Sequence, residues 1–248
     1  DETLEAIMLS DANGIITSVN KAFTTITGYS QEEALGQSTT LLKSGIHTPT
    51  YYQTMWHDLH HNNHWVGEIW NRRKNGEIYP QWGSISAILD ESGKVSSYVA
   101  VFSDISRTKQ AEQKLFFLAN HDTLTGLPNR AHFSDRINGV IARATRKSQR
   151  LALLFIDLDH FKIVNDTLGH EVGDIFLQEI ALCLKKITRN EESLARWGGD
   201  EFILLLEDFS NNAEITHTVQ RLFNSLSAPI YIEGHELSPS ASIGIALY

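Results

Sequence analysis

The chain has 248 residues, 42% of them hydrophobic and 21% charged, with 21 Lys+Arg against 30 Asp+Glu, a formal charge of −9 and a single cysteine, Cys183. The length holds one large domain or two ordinary ones and suffices to bury a core. The acidic balance argues against a general nucleic-acid grip, the lone cysteine excludes a disulfide scaffold or a Cys-built zinc site, and no apolar run reaches the ~18 residues that span a membrane.

The N-terminus, Asp1-Glu2-Thr3-Leu4-Glu5, is acidic and is no signal peptide. The chain starts mid-phrase and stops at Ala246-Leu247-Tyr248, as a fragment of a longer protein would. Composition shifts along it. Four of the five Trp precede residue 83, and residues 1–106 carry twelve acids against six bases, whereas residues 107–248 carry eighteen against fifteen. Two domains are expected, 1–106 and 122–248, joined by a helical linker over 107–121.

The first half reads as β-rich with small helices. Ile7-Met8-Leu9 and Ile15 to Val19 flank Asn13-Gly14, a hairpin signal. Asn20 to Thr27 is a short helical pattern closed by Gly28. Ser30-Gln31-Glu32-Glu33 is a capping box, with Gly36 ending that helix. Thr48-Pro49 starts a longer helix whose Tyr52, Met55, Trp56 and Leu59 recur at three and four, giving it a buried face. Trp65 to Arg72, Ile78 to Leu89 and Val95 to Phe102 then read as three strands, turning at Asn75-Gly76 and at Asp90 to Gly93.

From Ser106, which can cap, the chain turns helical, with Ala111, Leu115 and Leu118 spaced by four and three. This is barely two heptads. A helix packed on one domain and a signalling helix that pairs in a dimer both fit. Helices and strands alternate after it: a helix over Arg130 to Lys147, an apolar strand over Leu151 to Asp157, helices over Glu171 to Ile187 and Asn212 to Leu226. Leu194 to Trp197 and Phe202 to Leu206 flank Gly198-Gly199 as a hairpin, and Pro229 to Ile232 and Leu237 to Ala246 are strands. The fold class expected is two-domain α+β and α/β: an antiparallel sheet with flanking helices, then an α/β sandwich with a mixed sheet.

The chemistry-bearing residues meet at turns. Asp157 and Asp159 end the apolar strand, and period two puts both on one face. Asp200-Glu201 sits at the tip of the Gly-Gly hairpin. If the two strands are neighbours, Asp157 and Asp200 converge, and paired hard carboxylates suit Mg²⁺ (or Mn²⁺) with phosphate oxygens completing its shell. Taken singly, each aspartate is a strand-end cap and the acidic turn a solvated hairpin.

The order of elements over residues 1–106, with Asn20 to Tyr29, Gly67 to Gly76 and the exit triplet Asp104-Ile105-Ser106, resembles a PAS domain. Residues 107–248 resemble the GGDEF-domain diguanylate cyclases, through Asp122-Thr123-Leu124-Thr125-Gly126-Leu127-Pro128-Asn129-Arg130, the stretch from Phe155 to Asp174, and Arg196 to Phe202, three motifs in the family's order. That resemblance implies a palm-like sandwich and a reaction in which two GTP give cyclic di-GMP and two pyrophosphates. It implies Asp157, the Leu158 carbonyl and Asp200 as metal ligands, and Glu201 as the group that activates the 3′-hydroxyl or holds a second metal. His160, Phe161 and Lys162 fall where the loop lines the triphosphate, Asn165 and Asp174 where guanine is read, and His170 beside that pocket. Each protomer would hold one GTP, so a homodimer is required.

Arg189-Asn190-Glu191-Glu192 occupies the place of the family's Arg-x-x-Asp product-inhibition site; Glu192 replaces the aspartate, which implies weak inhibition. The family continues past the position of Tyr248, so the second domain reads as C-terminally incomplete, with a cyclic di-GMP phosphodiesterase domain a common successor. A cytoplasmic location follows for the part seen, whatever anchors the full-length chain. The competing reading is a catalytically silent module that binds GTP and regulates a partner. For the sensor the ranking is no tight cofactor or an unknown small ligand, then flavin, then haem. Residues 1–106 hold no Cys, which excludes flavin–cysteinyl photochemistry. Leu42-Lys43-Ser44-Gly45, Trp65 and Trp70 to Lys74 resemble a flavin-binding PAS domain. Haem requires an axial His, and His47, His57, His60, His61 and His64 are the candidates. The four Trp read as packing.

Overall fold

The computed structural model describes residues 5–188 and 193–248, and the chain divides into two compact units, one ending at Gln113 and the next starting at Lys114.

In the first unit, β1 (Ala6–Asp11) and β2 (Ile16–Val19) form the expected antiparallel hairpin. Gly14 takes φ +76°, a region a Cβ disfavours, and the Asp11 carboxylate accepts from the N–H groups of Asn13 and Ile15 at 2.9 and 2.8 Å. Helix α1 (Lys21–Thr27) is capped by the Asn20 side chain and closed by Gly28, and α2 (Gln31–Ala34) carries the full Ser30–Glu33 capping box. A 3₁₀ turn (Thr39–Leu42) leads to α3 (Pro49–Asn62), capped by Thr48. Strands β3 (His64–Arg72), β4 (Ile78–Leu89) and β5 (Val95–Asp104) complete a five-stranded antiparallel sheet in the order β2-β1-β5-β4-β3. The β1–β5 pairing joins the two ends of the unit. Phe23 of α1 and Ala34 of α2 bury against Met8, Ala100 and Phe102 of the sheet. A fully enclosed side chain such as Phe23 contributes roughly 2–3 kcal/mol by leaving water.

Helix α4 (Ser106–Asn120) starts one residue earlier than a Ser106 cap would allow. Asp104 does the capping instead, accepting the Ser106 N–H at 2.8 Å. No residue of α4 is buried, and Leu115 and Phe116 are each 66% exposed, which weighs against a helix whose apolar side packs on one domain.

The second unit holds α5 (Arg130–Lys147), β6 (Leu151–Leu158), α6 (Phe161–Leu168), α7 (His170–Ile187), β7 (Ser193–Gly198), β8 (Glu201–Glu207), α8 (Asn212–Leu226), β9 (Ile230–Ile232), β10 (His235–Leu237) and β11 (Ala241–Leu247). The main sheet runs β11-β6-β8-β7, and every described pairing in it is antiparallel, so the expected mixed sheet is corrected. The α6–α7 crossover does lay β7 parallel to β6, but β8 inserts between them. The strand expected over Leu237 to Ala246 is two strands. Leu237 pairs with Ile230 in a separate hairpin, while Ala241 joins β6, and Pro239 between them has no N–H for either ladder. Helix α6 takes in Phe161 and Lys162, expected in a loop, and runs on to Leu168 through residues for which no element was expected.

Period two divides β6 between two cores. Ala152, Leu154, Ile156 and Leu158 pack with α7 and α8, whereas Leu151, Leu153 and Phe155 pack with Phe133, Val140 and Ala144 of α5. The next residue on the α5 face is Asp157, where the apolar cover ends.

Candidate active site and sensor cavity

β6 and β8 are neighbours, and their register sets Asp157 directly opposite Glu201. Directly opposed residues share a face, so both carboxylates project beyond the Phe155–Ile203 pair. Asp200 belongs to the turn before β8, and its carbonyl accepts the Leu158 N–H at 3.3 Å. The turn needs its glycine at 199, where φ is +53°. Burial first, then the charges of Asp200 and Asp159, push the Asp157 carboxyl above its ordinary pKa. Three aspartates therefore repel one another at the end of this strand pair, with Glu201 opposite Asp157 by register. Among the described residues no group of three or more His, Cys, Asp or Glu has a metal-holding arrangement. Two carboxylates with oxygen donors from a phosphate chain would fit a hard divalent cation and relieve that repulsion.

Ser242 stands outside every sequence motif, and the motif residues Arg196, Asp122 and Arg130 have partners that the motifs do not reveal. Ser242 of β11 stands opposite Asp157 and donates to Asp159 Oδ1 at 2.7 Å. Arg196 donates from Nε and Nη2 to the Gly199 carbonyl at 3.0 and 2.7 Å, and its Nη1 meets Asp122 Oδ1 at 2.9 Å. One guanidinium thus ties the signature turn to the Asp122–Arg130 motif. The Arg130 guanidinium lies over the Trp197 ring, 4.5 Å from its centroid.

The chain leaves β6 through His160, a non-glycine at φ +61°, which turns it directly into α6. No side chain caps α6; the Ile163 N–H bonds the His160 carbonyl at 2.8 Å, which leaves the N–H groups of Phe161 and Lys162 for a ligand. His160 and Lys162 are exposed there. Phe161 differs from expectation: its ring is buried against Phe176, at 6.3 Å between centroids, so only its backbone can line a site. Asn165 is half-buried on α6, while His170 and Asp174 are exposed on α7. Gly169, at φ +88°, makes the corner that brings the two helices together. Arg189 and Glu192 lie outside the described residues.

The first unit holds a partly open cavity of about 550 Å³, lined among others by Met55, Trp56, Trp65, Asn71, Gln81 and Tyr98. Its wall is mostly apolar, but the carboxamides of Asn71 and Gln81 are on residues only 8% and 6% exposed. Register places them on one sheet face, with Ile69 opposite Gln81 and Tyr79 opposite Asn71. His47 is the only haem candidate among the cavity-lining residues. Its Nε2 accepts the Trp70 N–H at 2.8 Å, its ring stacks on Tyr51 at 3.9 Å, and burial lowers its pKa. His57, His60, His61 and His64 are exposed. Trp56 and Trp65 line the cavity, Trp56 packs edge-on against Tyr98 at 5.6 Å between centroids, and Trp82 is 51% exposed.

The chain thus joins an antiparallel sheet that carries a cavity to a palm-like sandwich with carboxylates on adjacent strands. The family described as "Diguanylate cyclase, GGDEF domain" matches residues 119–248, and that described as "PAS domain" matches residues 4–107. The chain belongs to the GGDEF-domain diguanylate cyclase family, with an N-terminal PAS domain. It is 45% identical over 139 residues to the bifunctional diguanylate cyclase/cyclic di-GMP phosphodiesterase MucR of Pseudomonas aeruginosa, covering 56% of this chain and 20% of that one. It is 33% identical to the probable diguanylate cyclase DgcE of Escherichia coli over 100% of this chain and 22% of that one. The chain therefore spans about a fifth of the length of these relatives. A solved GGDEF domain of TpbB from Pseudomonas aeruginosa is 43% identical, with a TM-score of 0.50 over 52% of this chain and 75% of that one. Among the described residues no helix is long and apolar enough to cross a membrane.

Proposed function

We propose that this chain is the sensor and catalytic part of a diguanylate cyclase that condenses two GTP into cyclic di-GMP with release of pyrophosphate. The observation that carries the reading is the register of β6 and β8, which places Asp157 opposite Glu201 with Asp200 adjoining. Asp157, Asp200 and the Leu158 carbonyl would hold Mg²⁺ or Mn²⁺. When bound, that ion supplies Lewis-acid polarisation of the phosphates and offsets the charge of the leaving pyrophosphate. Glu201, on the same face, is positioned to accept the proton of an attacking 3′-hydroxyl. The open N-terminus of α6 and Lys162 take the triphosphate, and Asn165 and Asp174 read the guanine edge, which an amide and a carboxylate can satisfy and adenine cannot match. Each site binds one GTP, so turnover needs a homodimer, with α4 and its exposed Leu115 and Leu118 as the pairing helix. Residues 1–106 act as sensor, 107–121 as connector and 122–248 as output. A GTP substrate favours a cytoplasmic output unit.

The sensor cavity supports a small planar ligand whose polar edge meets Asn71 and Gln81, with flavin ahead of haem because His47 Nε2 already accepts a backbone N–H. A visible absorption spectrum of the purified protein distinguishes these: flavin bands near the blue, a haem Soret band, or neither.

Incubation with GTP and Mg²⁺ followed by chromatography tests the enzyme reading. Cyclic di-GMP is expected, and Asp200→Ala abolishes it while the protein remains folded. GTP binding without product, from a dimeric protein, would favour the silent regulatory module instead.

A further inference from the structure

We infer that Gly173 is a positioning residue of the nucleotide site: its missing side chain is the space in which the Asn165 carboxamide is held. The inference rests on the reading of Asn165 as a guanine contact. Gly173 is buried at the end of the first turn of α7, in a regular helix, where no positive φ calls for glycine. A Cβ added there would collide with Asn165 Oδ1, would lie 3.0 Å from Asn165 Cγ, and would stand at an ordinary 3.5 Å from Phe161 Cε2. All three of these nearest atoms belong to side chains. The glycine thus accommodates one polar side chain, that of the neighbouring helix.

Two features make this a matter of position rather than stability. The atom displaced is the end of a side chain, which can rotate away, whereas a clash with backbone could be relieved only by moving the fold. The Asn165 backbone is tied in place, with its carbonyl accepting the Gly169 N–H at 2.9 Å. The carboxamide itself makes no hydrogen bond to another described residue, so packing against Gly173 is what fixes its direction. Asp174, the second residue assigned to guanine, follows Gly173 on α7. The bare backbone at 173 therefore lets the α6 amide and the α7 carboxylate approach one ligand edge from two helices. With Ala at 173 the helix stays favourable, since Ala exceeds Gly in helix propensity, but the amide swings off the edge it reads.

The test uses equilibrium binding of 3′-deoxy-GTP and 3′-deoxy-ITP with Mg²⁺. Neither ligand has the attacking hydroxyl, and the second lacks the 2-amino group. Gly173→Ala is expected to weaken 3′-deoxy-GTP binding by tenfold or more, to change 3′-deoxy-ITP binding by less than threefold, and to leave Tm equal or higher. Asn165→Ala should show the same loss, and the double variant no further loss. Equal weakening of both nucleotides, additive losses in the double variant, or a markedly lowered Tm for Gly173→Ala would overturn the inference. An Asn165→Ala variant with unaltered selectivity would overturn the guanine reading itself, and the inference with it. A Gly173→Ala variant with unaltered selectivity beside a defective Asn165→Ala overturns the inference alone.

Discussion

Arg196 and Asp122, 74 residues apart in the chain, meet at 2.9 Å, and the same guanidinium holds the Gly199 carbonyl at the signature turn. Their side chains are 11% and 25% exposed, so little water screens the pair. Burial alone would raise the Asp122 pKa, but hydrogen bonds from Thr125 and Arg196 outweigh it, and the carboxyl titrates below its ordinary value.

Removing Arg196 leaves Asp122 partly buried without its counter-charge and releases the Gly199 carbonyl. Arg196→Ala is expected to cost about 2–3 kcal/mol in urea unfolding of the second unit. It should also loosen the turn that presents Asp200, lowering cyclase activity further than the stability loss explains. Full activity with an unchanged midpoint would contradict the staple.

Asp157 is raised by burial and by the charges of Asp200 and Asp159, so neutralising it relieves repulsion in the metal-free protein. Asp157→Asn should raise Tm without divalent ion by the equivalent of up to ~0.5 kcal/mol, since solvent screens much of the effect. It should abolish the further rise that Mg²⁺ produces in the unsubstituted protein. Thermal melts with and without Mg²⁺ check both. Retained Mg²⁺ stabilisation in Asp157→Asn would place the ion elsewhere.

The exit of the sensor is built on Arg73 and Asp104, paired at 2.6 Å. The Arg73 guanidinium lies 3.9 Å from the Tyr79 ring centroid, and Asp104 caps α4 at Ser106. Burial opposes ionisation of Asp104, but bonds from Ser106 and Arg73 prevail, so its folded pKa is depressed. A depressed carboxylate adds stability above its unfolded pKa, and that stability is lost as pH falls through the folded value. Unfolding of the first unit should therefore steepen below about pH 4, the ordinary carboxylate range. Asp104→Asn should flatten that steepening and change the dependence of cyclase rate on the sensor state. A pH profile identical to that of the parent would refute the assignment.

Gly83 and Gly67 predict opposite outcomes. A Cβ at Gly83 would lie 2.6 Å from the Val101 carbonyl oxygen and 2.7 Å from Phe102 Cβ, atoms fixed by the β4–β5 ladder. Gly83→Ala is expected to cost about 2–3 kcal/mol in thermal or urea unfolding of the sensor. At Gly67 the three atoms nearest the added one all belong to the Trp65 ring, which can move. Gly67→Ala should fold normally but alter ligand uptake, because Trp65 lines the cavity. Equal stability of the two variants would show that the sheet gives way at Gly83.

Local physical chemistry made much of this protein legible from its residues. Asn13-Gly14, the Ser30–Glu33 box and Thr48-Pro49 act within a few residues, so their elements start where expected. The carboxylates were legible because an apolar strand ending in acid, and a glycine turn followed by acid, are short patterns. Whether Asp157 and Glu201 meet depended on β8 inserting between β6 and β7, a pairing between distant segments. The same holds for the β1–β5 closure, for Ser242 beside Asp159 and for Arg196 on Asp122. The sequence alone determined which residues carry charge, turn the chain and cap its helices. Tertiary structure decided which of them share a face, because hydrogen-bond register and helix packing depend on partners far along the chain. Gly173 shows the difference: in sequence it is a glycine within a helix, and only the helix beside it reveals the amide that occupies its place.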